Sequence, residues 1–132
     1  LHEVLPRADY LFMATPFTAE TSNLLSREAQ SLMPRGAGVI NIGRARTMDY
    51  DALVDNLRSG HFRGAILDVF DPEPLPADSP LWSEPNLIVA PHVSADDGDS
   101  YVPQTLDLVF GNMRRYLAGQ PLANVVRPEL GY

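Results

Sequence analysis

The chain has no cysteine, no lysine and little positive charge. Without cysteine there is no disulfide framework and no thiolate metal site, so the fold must stand on an apolar core. Hydrophobic residues make up 45% of the 132 residues, enough for such a core. No apolar run approaches the roughly 18 residues of a membrane span, and no charged-then-apolar signal segment opens the chain. The sequence therefore reads as soluble and cytoplasmic. Its ten basic residues, all arginine, stand against 17 acidic ones, for a net charge of −7. A nucleic-acid surface needs a basic patch to neutralise phosphates, and an anionic membrane needs a polybasic segment; this balance fits neither. The length suits one domain.

What is present has a clear rhythm. The apolar runs Tyr10 to Ala14, Gly38 to Ile42, Ala65 to Phe70 and Leu87 to Ala90 are expected to be strands covered on both faces. Ser26 is placed to cap a helix from Arg27 to Leu32, stopped by Pro34-Arg35-Gly36. Asp49 is placed to cap a second helix from Tyr50 to Ser59, with Leu53, Val54 and Leu57 on one face and Gly60 just past its end. A proline-rich loop from Asp71 to Pro80 follows, and Leu81-Trp82 is expected to pin it to the core. Leu106, Val109, Phe110, Met113 and Leu117 recur at helical spacing, with Pro103 in the first turn and Gly119 at the end. Apolar strands alternating with amphipathic helices mean an α/β fold with a parallel sheet.

In such sheets ligands bind beyond the carboxyl ends of the strands. Each run here leads into polar residues: Thr15-Pro16, Gly43-Arg44, Asp68 to Glu73, and His92 to Ser94. An arginine, a carboxylate and a histidine in one crevice suit a small 2-oxo or 2-hydroxy acid. Arginine would grip the acid group bidentately, and histidine would exchange the proton near neutral pH. A carboxylate would orient the ring, and the hydride would come from a bound nicotinamide. Three histidines without metal-ligand spacing argue against a metal site, and Asp96-Asp97-Gly98-Asp99 lacks the later ligands of a calcium loop.

The motifs sharpen this. Asn41-Ile42-Gly43-Arg44, the stretch Leu67 to Pro76, Ser79-Pro80-Leu81-Trp82, Pro85-Asn86, Pro91-His92-Val93-Ser94, and Thr15-Pro16 with Glu20-Thr21 stand in an ordered series. That series resembles the D-isomer-specific 2-hydroxyacid dehydrogenases, from about Leu5 to about Val126. The resemblance implies a catalytic trio: Arg44 as the substrate-carboxylate anchor, Glu73 as the partner of the histidine, and His92 as the acid/base. It implies that Asp68 contacts the nicotinamide carboxamide, and that Thr15, Pro16 and Thr21 line the adenine and phosphate side. Ile42 and Gly43 would lie beside the nicotinamide ribose, Ser94 with Ala95 would flank the nicotinamide, and Arg44 and His92 would also border the cofactor. The implied cofactor is NAD or NADP. The implied partner is a small 2-oxo/2-hydroxy acid, of the glyoxylate or hydroxypyruvate reductase type, with a homodimer in the full-length protein. An NAD-binding regulator of corepressor type on the same fold is the alternative.

Two departures matter. Ala45 stands where the family has glycine after its arginine, a penalty if that position needs a positive φ. The glycine-rich strand-to-helix turn G-x-G-x-x-G is missing; Gly36-Ala37-Gly38 leads into a strand instead. Residues 1–132 are therefore expected to be the second half of a three-layer Rossmann-type dinucleotide domain, with 98–132 as the returning C-terminal helix and tail. The first half and the substrate domain would be absent, and the fragment alone inactive.

Overall fold

Four parallel strands lie side by side in chain order: β1 (Tyr10–Met13), β2 (Ala37–Asn41), β3 (Phe62–Leu67) and β4 (Leu87–Val89). The computed structural model describes residues 1–130 and divides into two units, of which the sheet belongs to Leu1–Ser94. Helix α1 (Arg27–Ser31) links β1 to β2, and α2 (Tyr50–Arg58) links β2 to β3. Both start where a side chain can take an orphan backbone donor. The Ser26 hydroxyl accepts from the Ala29 N–H at 3.3 Å, and the Asp49 carboxylate from the Ala52 N–H at 2.9 Å. Gly60 ends α2 in the left-handed region at φ 66°. Arg58, in the last turn of α2, donates to both oxygens of the buried Glu84 just before β4, tying the helix to the strand it does not lead into.

The register places Leu11, Val39, Ala65 and Leu87 in one row across the sheet. That face packs on Leu25, Ala29 and Met33 from the first crossover and on Leu53 and Leu57 from the second. The opposite face carries Tyr10, Phe12 and Ile88, which are 62%, 59% and 61% exposed. The strands are thus covered on one face within this unit, not on both as the unbroken apolar runs predict. Both crossover helices lie on the same side of the sheet, and an apolar run does not say which element supplies its second cover.

Two further expectations shift. Strand β3 begins at Phe62, three residues earlier than the apolar run suggests, because Gly60 ends α2 abruptly and the buried Phe62 pairs with Ala37. Asp68 to Phe70 consequently lie beyond the strand. Leu81 alone packs on the core; Trp82 is half exposed, and its indole N–H donates to the Pro76 carbonyl at 2.8 Å, closing the proline-rich loop on itself.

Two glycines set up a contrast. A Cβ on Gly43 would meet the Thr15 carbonyl oxygen at 2.6 Å and the Thr15 nitrogen at 3.0 Å, both backbone atoms. A Cβ on Gly38 would meet the Tyr10 ring at 2.8 Å, a side chain that lies open to solvent. Gly43→Ala is expected to lower stability by about 1–3 kcal/mol, the usual magnitude of overpacking, while Gly38→Ala stays near neutral. Urea unfolding of the two variants measures the difference.

The unit from residue 95 on is built around α3 (Tyr101–Leu117). The Asp97 carboxylate accepts the Asp99 and Ser100 N–H groups ahead of it. Gly119, at φ 65°, lets the Gln120 N–H reach back to the Arg115 carbonyl at 2.9 Å. The Asn112 amide bonds Ala123 in both directions, at 3.1 and 2.8 Å, folding the tail against the helix. Residues 131 and 132, which the expected helix-and-tail segment includes, lie outside the described residues. Among the described residues no helix is long and apolar enough to cross a membrane.

Candidate active site

Parallel strands end together, so the loops after β1, β2, β3 and β4 share one edge of the sheet. At the end of β2 the fully buried Asn41 organises its loop. Its Oδ1 accepts the Gly43 N–H at 3.0 Å and its Nδ2 donates to the Arg44 carbonyl at 3.3 Å. The Thr47 hydroxyl and N–H reach the same carbonyl at 2.6 and 3.2 Å. The backbone of Arg44 is therefore pinned while its side chain stays exposed, donating once to the Gly43 carbonyl at 2.7 Å. Among the described residues Arg44 has no carboxylate partner within salt-bridge distance. Ala45 enters a single 3₁₀ turn (Ala45–Thr47) and is not among the residues with positive φ, so the alanine carries no backbone penalty.

The ends of β3 and β4 supply the acid and the histidine. Glu73 accepts the Phe70 N–H on Oε1 at 2.7 Å, and its Oε2 lies 2.9 Å from His92 Nδ1. Asp68, 1% exposed, accepts the Val93 N–H at 2.8 Å and the Ser94 N–H at 3.0 Å. His92 sits between these attachments with φ 57°, a left-handed conformation that is uncommon outside glycine. Tyr50 supports this region from α2: its hydroxyl donates to the Val69 carbonyl at 2.6 Å, and its ring meets Phe70 edge-on at 6.5 Å. Burial pushes the Tyr50 phenol up, so it remains a donor. A cavity of about 380 Å³ adjoins the pair, lined by Phe70, Glu73, Leu75, Trp82, Val89 and His92 among others. A larger groove of about 710 Å³ runs along α2 past Asp51, Asp55 and Arg58, with no histidine in its lining.

Both carboxyls are held below their ordinary pKa. The Phe70 N–H, then the His92 hydrogen bond and charge, with Arg44 adding to the field, hold Glu73 below the usual carboxylate range. Burial raises Asp68, but hydrogen bonds from Ser94 and Val93 and the nearby His92 outweigh it, leaving the group below its ordinary value. A depressed folded-state pKa adds stability that is complete above the unfolded value, about 4, and is lost as pH falls through the lower folded value. The chain is therefore expected to lose stability on acidification below about pH 4. Asp68→Asn should be less stable at neutral pH and respond less to acid, which denaturant titrations at pH 6 and pH 3 would show.

Part of a dinucleotide fits the residues present. The Thr15 hydroxyl, at the end of β1, is buried without a partner and so has a hydrogen bond to give. Arg44 supplies a cation with no salt-bridged carboxylate among the described residues. Ile42 and Gly43 follow Asn41 where the ends of β1 and β2 nearly touch. Thr21 is committed locally, donating to the Pro16 carbonyl at 2.7 Å and accepting the Thr18 N–H at 2.7 Å. The Ser94 N–H is likewise taken by Asp68. The diphosphate side does not fit: Gly36 makes a turn at φ 85°, Ala37 and Gly38 are strand, and no helix begins there. Asn41, Thr47 and Tyr50 carry no role in the sequence reading. Asn41 alone left a signal, a polar residue closing an apolar run.

Residues 1–94 match the family described as "D-isomer specific 2-hydroxyacid dehydrogenase, NAD binding domain". The chain is 38% identical over 130 residues to glyoxylate/hydroxypyruvate reductase B of Pectobacterium atrosepticum, covering 98% of this chain and 40% of that protein. It is 33% identical to glyoxylate/hydroxypyruvate reductase A of Salmonella newport, covering 100% of this chain and 41% of that protein. Among solved structures, a D-isomer specific 2-hydroxyacid dehydrogenase of Xanthobacter autotrophicus, in complex with NADPH and MES, superposes with a TM-score of 0.86 at 40% identity. It covers 98% of this chain and 54% of that one. An NADPH-dependent glyoxylate/hydroxypyruvate reductase of Sinorhizobium meliloti, in complex with NADP and sulfate, gives 0.92 at 32% identity, over 99% and 42% of the two chains. The chain thus spans about two-fifths of the length of the curated relatives it matches.

Proposed function

The chain belongs to the D-isomer specific 2-hydroxyacid dehydrogenase family, and from that membership we propose that it carries the catalytic side chains of an NAD(P)-dependent oxidoreductase. The reaction interconverts a small 2-oxo acid and the matching D-2-hydroxy acid. The observation that carries this reading is the Glu73–His92 pair, 2.9 Å apart at the carboxyl ends of β3 and β4. With Nδ1–H donated to Glu73, Nε2 is the ring nitrogen left to exchange a proton with the substrate oxygen. Arg44 presents a planar fork to the substrate carboxylate and polarises the adjoining carbonyl. When bound, the nicotinamide supplies or accepts the hydride. The relatives named for glyoxylate and hydroxypyruvate support these two 2-oxo acids as the substrates to try first.

The three side chains act as part of a larger protein, in which another segment grips the diphosphate and a separate domain selects the substrate. The test is oxidation of NADH and of NADPH by a protein that carries this segment with those parts, offered glyoxylate, hydroxypyruvate and pyruvate. Turnover supports the reading. No turnover with any of them, together with a specific protein partner, would move the chain to the NAD-binding regulator. The 132-residue chain by itself is expected to bind dinucleotide poorly, because it lacks the phosphate-cradling turn; micromolar affinity for NADH in calorimetry would contradict this.

A further inference from the structure

We infer that Asp68 is a positioning residue for His92: its buried carboxylate holds the left-handed turn that aims the imidazole at Glu73. Pro91, His92, Val93 and Ser94 are all exposed, so packing does not fix this turn. A non-glycine residue at positive φ persists only where its surroundings over-determine it. Here the attachments are few and specific. On the near side, the Ala90 N–H donates to the Leu67 carbonyl at 2.9 Å and ends the ladder of β4. On the far side, two successive N–H groups, from Val93 and Ser94, converge on separate oxygens of Asp68. Asp68 is itself anchored, its own N–H donating to the Asn41 carbonyl at 3.0 Å. The carboxylate therefore connects the Asn41 loop that shapes Arg44 to the turn that shapes His92. Hydrogen bonds to an ionised acceptor are the strong ones, and the burial of the Asp68 carboxylate makes them hard to replace with water. This gives Asp68 a task in the protein itself, different from the nicotinamide contact that the family resemblance implies.

The catalytic consequence rests on the proposed acid/base role of His92; the structural part does not. Asp68→Asn keeps the side-chain volume but leaves one oxygen for two converging donors and sets an NH₂ against an N–H. Hydrogen exchange in the 132-residue chain is expected to show the Val93 and Ser94 amides about 10- to 100-fold faster than the variant's loss of global stability accounts for, that loss being read from the β2 and β3 amides. Val39→Ala, a core truncation, should lower global protection without singling out those two amides. An ester in place of the Val93–Ser94 peptide bond deletes one donor and leaves Asp68 untouched; it should free the Val93 amide too, and serves if the Asn variant does not fold. In the whole protein, Asp68→Asn should lower kcat by a similar factor while KM for the dinucleotide stays the same. Unchanged Val93 and Ser94 exchange overturns the inference, and so does a released turn with normal kcat. A raised dinucleotide KM at intact kcat assigns Asp68 to the cofactor instead and equally overturns it. An inactive wild-type protein would sink the proposed function, while hydrogen exchange still decides whether Asp68 holds the turn.

Discussion

In the whole protein, His92→Ala is expected to lower kcat by about 10²- to 10⁴-fold, the usual worth of a positioned general acid/base. KM for the dinucleotide should hardly move, because in the proposed reaction the ring meets the reacting oxygen and not the bulk of the cofactor. Glu73→Gln should cost less. The amide oxygen still accepts the Phe70 N–H, which it takes at 2.7 Å in the parent chain, so the loop keeps its shape. What disappears is the negative charge 2.9 Å from Nδ1, which orients the ring and stabilises the imidazolium formed when His92 takes a proton. The double variant should be no worse than His92→Ala alone, since Glu73 acts only through the ring; such non-additivity is how a coupled pair declares itself. Steady-state rates for the three variants decide it. Equal losses that simply multiply would mean that Glu73 has a separate task, and full activity in His92→Ala would remove the acid/base reading.

The sequence made some of this legible and not the rest, for physical reasons. Period and capping residues located both crossover helices, because Ser26 and Asp49 do at close range what a cap must do. Parallel strands joined by helices then require that the loops at Gly43-Arg44, Glu73 and His92 share an edge, so the trio could be assembled before any distance was known. Side-chain pairing across loops is not local, and there the sequence was silent. Nothing in a linear reading links Asp68 to the amides of Val93 and Ser94, or Tyr50 to the Val69 carbonyl. Ala45 shows the converse. A departure from family pattern looked like strain and is not, because the residue enters a 3₁₀ turn with ordinary φ. The apolar runs do not report cover: Tyr10 and Phe12 carry large aromatic rings, yet both are more than half exposed. Composition reports what a face prefers, not which element supplies its cover.

Arg44 carries the second large effect. Two charge-assisted hydrogen bonds to a carboxylate, each worth about 1.5–3 kcal/mol, make the loss on Arg44→Gln about 100-fold or more in kcat/KM. It should fall mainly on KM for the oxo acid, with a further loss in kcat because the fork also polarises the reacting carbonyl. Arg44→Lys is the sharper probe. The charge survives but the planar fork does not, so this substitution should recover only part of the loss. The structure makes the experiment clean on the protein side. Asn41 Nδ2 and the Thr47 hydroxyl hold the loop through the Arg44 carbonyl, which glutamine or lysine also has, and the side chain gives up a single bond, to the Gly43 carbonyl. Neither variant should therefore disturb the loop, and equal urea midpoints would verify that. If lysine restores wild-type KM, Arg44 acts as a point charge and the bidentate grip is wrong. If glutamine leaves KM for the oxo acid unmoved, Arg44 is a surface residue bonding its neighbour's carbonyl, and the carboxylate must be held from another element.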